Sequence, residues 1–265
     1  MFALVFMRNA YLASTFIALT CGVIGVFVVA RNLSFLSHTL SEIGFAGAAF
    51  GVFSGLSALN GMLIFTSLSS LIVGALGVEK SRREATISAV SSLFIGLGIL
   101  FLSLSSKNAS YATNILFGSI VGISFDEVKQ LIILSALVML FVLMMWRSLV
   151  FDSFDSVGAA SQNIHRDLIS IIFLILLAFA VSIGAQIVGS LLVFILLTLP
   201  AASAQYLGRT VPQLLMIAIG ISLIGVWLGL YLGYVTNWPV TFFIASIEVL
   251  IYLLAILYSR LVQRS

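Results

Sequence analysis

The stretch Ser34-Phe-Leu-Ser-His-Thr-Leu-Ser-Glu-Ile-Gly-Phe-Ala-Gly-Ala-Ala-Phe-Gly51 carries His38 and Glu42 near its head and then loses all charge. From Ile43 to Val78 the chain runs 36 residues without Asp, Glu, Lys or Arg. A membrane helix needs about 20 apolar residues, so this run predicts two helices joined by a short turn near Ser54–Asn60. Helical spacing puts His38 and Glu42 on one face, a turn apart. An acid held inside a membrane helix costs about 2.5–3.5 kcal/mol on insertion scales. The pair therefore points to an interior path lined by water or ligand.

The rest of the chain repeats the pattern of long apolar runs between isolated charges. Of its 265 residues 62% are hydrophobic and only 8% charged, and the mean hydropathy is +1.25. A soluble domain carries about 25% charge. The apolar runs lack the strict alternation of an outer-membrane barrel, so the expected fold is all-α, a polytopic helical membrane protein. The net charge of +3 is spread along the chain; no basic face is clustered for nucleic acid. Cys21 is the lone cysteine, so no intrachain disulfide is possible and a buried inert thiol is expected.

Ala10–Ala30 is 21 uncharged residues, longer than the apolar core of a signal peptide, and reads as a retained span. Further spans follow at about Ala85–Ser106, Gln130–Trp146, Val211–Tyr234 and Val240–Tyr258. Leu168–Gly208 is uncharged for 41 residues and predicts two more, breaking near Gly184–Gly189. Phe117–Gly122 is a short apolar piece read as re-entrant. The sum is eight or nine helices in a single transmembrane domain over residues 1–265. Placing Lys80, Arg82 and Arg83 inside also puts Arg31, Arg147, Arg166, Arg209, Arg260 and Arg264 inside, leaving Arg8, Lys107 and Lys129 outside. That bias predicts a cytoplasmic C-terminus and a cytoplasmic loop at Ser148–Asp167. Glu42 lies 11 residues beyond Arg31, about 16 Å into the bilayer along a continuous helix. Recurrent glycines (Gly22, Gly25, Gly44, Gly47, Gly51, Gly55, Gly96, Gly98) predict close helix packing.

Imidazole nitrogen and carboxylate oxygen are both ligands for first-row divalent cations. Two ligands suit an ion that must also leave, and a symmetric homodimer would bring four to one axis. From spacing alone, the pair also reads as a hydrogen-bonded tie between helices or as a proton relay. Glu248, alone in the last span, is a candidate path or gate residue, or a packed acid bonded to Ser246 or a neighbouring helix. The Ser148–Asp167 loop reads as a docking surface or as an ordinary solvated loop. No enzyme motif holds up. Gly74-Ala-Leu-Gly-Val-Glu-Lys80-Ser81 lacks the glycine before lysine and follows an apolar span instead of a buried strand. No Gly-x-Ser-x-Gly or His-Glu-x-x-His occurs. A non-enzymatic transport protein without a permanent cofactor is expected, with an ion-coupled secondary carrier as one class.

Five segments, in order, resemble the membrane permeases of ABC importers for zinc, manganese or iron. Arg31 followed by Ser37–Gly47 resembles an arginine and then Gly-Asp-x-x-x-His-x-x-x-Pro-Gly. Glu84-Ala-Thr86-Ile87 resembles an acid before Thr-Ile. Leu116–Ser124 resembles Leu-Phe-Gly-Ser-Ile-x-Gly-Ile-Ser, and Phe154-Asp155 with Ala159 resembles Phe-Asp-x-x-x-Ala. Val188–Val193 and Leu199–Ala204 resemble Val-Gly-x-Leu-Leu-Val and Ile-Pro-Ala-Ala-x-Ala. The order acid-then-His is reversed here, Ala46 stands at the family's proline, and a glycine is missing near Asn163. The resemblance implies the ABC importer permease fold in a bacterial cytoplasmic (inner) membrane, working by alternating access. It implies metal ligands at His38 and Glu42, Arg31 as a path or gate residue, and ATPase coupling through Asp155, Ala159 and Asn163. It also implies a homodimer, a cytoplasmic ATPase subunit that binds the ATP, and an external metal-binding protein. A permease of the same fold for a non-metal solute is the alternative within the resemblance.

Overall fold

The computed structural model describes residues 5–75, 83–105, 118, 123–154 and 166–262. Among them the chain is helical throughout, with no strand, in the order α1 (Val5–Ala30), α2 (Ser34–Ser54), α3 (Ala58–Ala75), α4 (Arg83–Leu104), α5 (Phe125–Met144), α6 (Trp146–Phe154), α7 (Arg166–Val188), α8 (Ser190–Leu207), α9 (Val211–Thr236) and α10 (Val240–Val262). Eight helices are long and apolar enough to cross a membrane; α2, with 21 residues, is not one of them. It carries His38, Glu42 and three glycines along with its serines and threonine, which lowers its hydropathy.

The two long uncharged runs break where expected, each at a glycine with positive φ. Gly55 (φ 76) ends α2, three residues before α3 begins, and Gly189 (φ 91) alone separates α7 from α8. A side chain strains in that region of backbone space, and glycine does not. The chain bends sharply at Gly189: Gly184 lies against the Val193 side chain, which a continuous helix would not allow. Gly118 (φ 73) packs its backbone onto Val188 and Gly189, joining two of the sequence segments quoted above.

Helix starts differ from the charge punctuation. Residues 125–129 belong to α5: the Ser124 hydroxyl accepts a bond from the Glu127 amide, and the Ser124 amide donates in turn to Glu127 Oε2 at 2.9 Å. This capping box puts Asp126 and Glu127 in a first turn, where acids are stabilised. Ser148–Phe154, read from sequence as polar loop, is helical as part of α6. The re-entrant reading of Phe117–Gly122 lies outside the described residues apart from Gly118.

α1 and α7 form the interior, while α4 and α10 face outward over most of their length. α2 packs chiefly on α3 and α4 and also touches α7 and α8, and α9 packs on α1 and α10. Glycine sets several crossings: Gly47 of α2 abuts Gly61 and Met62 of α3, Gly98 of α4 abuts Ala46 of α2, and Gly25 of α1 abuts Leu197 of α8. Close packing of this kind drives association where lipid removes the hydrophobic force. Of the glycines expected to pack closely, Gly55 and Gly96 are the exceptions, with open space around them.

Candidate metal path and its supports

α1 and α2 meet in a tight corner. The Leu33 amide donates to Val28 O at 2.9 Å and the Asn32 amide to Val29 O at 3.1 Å. With Asn32 left-handed at φ 55, these are the two bonds of a Schellman motif. α2 therefore restarts at Ser34, and Glu42 lies about 12 Å along it. That is less than the 16 Å of a continuous helix.

His38 and Glu42 share one face of α2, with His38 Nε2 3.6 Å from Glu42 Oε1. A tetrahedral ion held at about 2.1 Å by nitrogen and oxygen sets them about 3.4 Å apart. The gap thus nearly matches the bite of one divalent cation, with one ligand atom from each turn. The two side chains are 37% and 41% exposed, although most of α2 around them is buried. His38 packs on the Phe194 ring of α8, 4.8 Å between centroids, and its Nδ1 is buried without a partner. The ring is thus pinned from α8, with Nε2 turned to the carboxylate. Among the described residues no group of three or more His, Cys, Asp and Glu comes together, so of these residues only His38 and Glu42 are paired as side-chain ligands here.

Arg31 is not beside this pair. Its guanidinium lies 3.0 Å from Asp152 Oδ2 of α6, with side chains 8% and 9% exposed. It donates through Nε to Ser153 Oγ at 2.8 Å and sits 4.4 Å over the Phe173 ring of α7. Phe27, one turn earlier, packs edge-on against Trp146, Phe154 and Phe173 at 6.1–6.4 Å. These contacts were not read from sequence, where Asp152 was one acid in a polar run. The available signal was a lone arginine at a span end facing a short acidic segment.

Glu248 is fully buried in α10, and neither carboxylate oxygen has a hydrogen-bond partner. It rests on Gly225 of α9, the first of three glycines that receive α10: Gly225 against Glu248, Gly229 against Ile244, Gly233 against Val240. The bond to Ser246 or a neighbouring helix is absent. Cys21 is buried and free, as expected. Asp155, Ala159 and Asn163, together with His165, lie outside the described residues.

The family model described as the ABC 3 transport family matches residues 3–259. The chain is 26% identical over 256 residues to the manganese transport system membrane protein MntC of Listeria innocua, covering 96% of this chain and 91% of the relative. It is 28% identical over 241 residues to the high-affinity zinc uptake system membrane protein ZnuB of Buchnera aphidicola, covering 90% and 91%. Its fold is similar to a chain of PsaBC from Streptococcus pneumoniae, solved in complex with Fab, with TM-score 0.86 at 22% identity over 95% of this chain and 91% of that one.

Proposed function

Because the chain belongs to the ABC 3 transport family, we propose that it is the permease of an ABC importer carrying a divalent transition-metal cation, zinc, manganese or iron. His38 and Glu42 are its ligands. The observation that carries this reading is the 3.6 Å separation of Nε2 and Oε1 on a half-exposed face of a mostly buried helix. The names of relatives that handle manganese and zinc agree with it. Two ligands hold a cation loosely, and a second copy placing its own pair opposite would complete a four-ligand site.

In this reading an external binding protein delivers the ion, and ATP closure of a partner subunit docked on the segment after Phe154 opens the cytoplasmic side. The C-terminus lies in the cytoplasm. The ATP stays on the partner, and this chain performs no covalent chemistry.

The test is ATP-dependent uptake of zinc, manganese and iron(II) in proteoliposomes holding the chain, its ATPase and its binding protein. Transport of one metal, abolished by both His38→Ala and Glu42→Ala in assembled complexes, is the expected result. Normal transport in both variants refutes the ligand assignment. Uptake by this chain alone under an ion gradient would make it a secondary carrier.

A further inference from the structure

Resting on that importer reading, we propose that Arg31 is a positioning residue that couples the ATPase-facing end of the molecule to the metal helix. The structure supplies a short physical chain. α6 ends at Phe154, next in sequence to the proposed docking segment. Asp152 and Ser153, in its last turn, are both held by the Arg31 guanidinium. Arg31 is itself the C-cap of α1; the Schellman corner follows it, and α2 starts at Ser34 with His38 in its second turn.

Three features make this a rigid link. The guanidinium engages two adjacent α6 residues and stacks on Phe173 of α7, so one side chain ties three helices. Phe27 grips both ends of α6, at Trp146 and Phe154. The corner at Asn32 and Leu33 has both of its capping bonds made, leaving little slack between Arg31 and α2. A displacement of α6 therefore has to move the α1–α2 corner, and with it the His38/Glu42 face. The fork of arginine suits this task and lysine does not, because only a planar guanidinium can donate to Ser153, sit against the Asp152 carboxylate and lie over the Phe173 ring at once.

The experiment measures metal imported per ATP hydrolysed, by the complete complex in proteoliposomes, for wild type, Arg31→Gln, Asp152→Asn and the double variant. Each single change removes one partner of a buried ion pair and destabilises the complex; the double change removes both charges and recovers stability. A merely structural tie would regain transport along with stability. The expected result is that assembled single variants and the double variant all import about tenfold less metal per ATP, within the range of inter-site coupling. Zinc, manganese and iron(II) binding to the detergent-purified complexes is expected to stay at the wild-type level. A wild-type ratio in any of the three variants overturns the proposal, as does failure of all three to assemble. A wild-type complex that moves no metal, or moves it without ATP, refutes the importer reading itself.

Discussion

Gly44 and Gly47 are one turn apart on the helix that carries the His38/Glu42 pair, and alanine is expected to have opposite effects at the two. At Gly47 a Cβ would sit 2.5 Å from Gly61 O and 2.8 Å from Met62 Cα of α3. Carbon atoms rest about 3.5–4.0 Å apart, so α2 and α3 must part by about 1 Å. Overpacking of this kind costs about 1–3 kcal/mol, partly offset by the roughly 0.5–1 kcal/mol that alanine gains over glycine inside a helix. At Gly44 the added Cβ meets only Thr66 Cγ2, at 3.8 Å, and the helical gain stands alone. The two variants should therefore differ by about 2 kcal/mol. On the scale of soluble chains this size, that separates their melting temperatures by about 4–8 °C. Thermal unfolding in detergent, followed by size-exclusion chromatography, reads this difference, and uptake should fall severalfold only in Gly47→Ala. Mere nearness to the His38/Glu42 pair would rank them the other way, since Gly44 is closer to Glu42. Equal melting temperatures, or a greater loss in Gly44→Ala, would refute the α2–α3 register described here.

One further outcome is expected. Glu248→Leu removes a fully buried carboxyl without partners, so the melting temperature should hold or rise, by the equivalent of about 1–3 kcal/mol. Loss of uptake in that stable variant would place Glu248 on the path.

Much of the helix layout was legible because membrane spans are written in apolar length, and two of their breaks fall at glycines with special backbone angles. Gly55 and Gly189 mark turns that composition alone placed within a few residues. Charge punctuation failed where a charge serves a helix end. Asp126 and Glu127 fall before the span expected from Gln130, yet they lie in the first turn of α5. Arg8 read as a boundary, yet α1 begins earlier, at Val5. The spacing of His38 and Glu42 put both side chains on one face of a helix, and the structure keeps that arrangement. The role of Phe194 under the imidazole was hidden, because nothing local in sequence says which face of α8 turns to α2.

Arg31 was the least legible residue, and the reason is physical. A sequence shows a charge at a span end but not whether the charge is solvated or paired, and a partner 121 residues away leaves no periodic trace. Once paired, it explains why α2 tolerates its polar face. The helix is held at its start by the Schellman corner and gripped by glycine contacts with α3 and α4. It does not depend on its own hydrophobicity to stay in place. His38 and Glu42 are then free to face a gap that this chain leaves partly open. In the proposed four-ligand site, a change in the distance between the two pairs moves α2 as a body, and the described contacts give α6 a hold on one end of it.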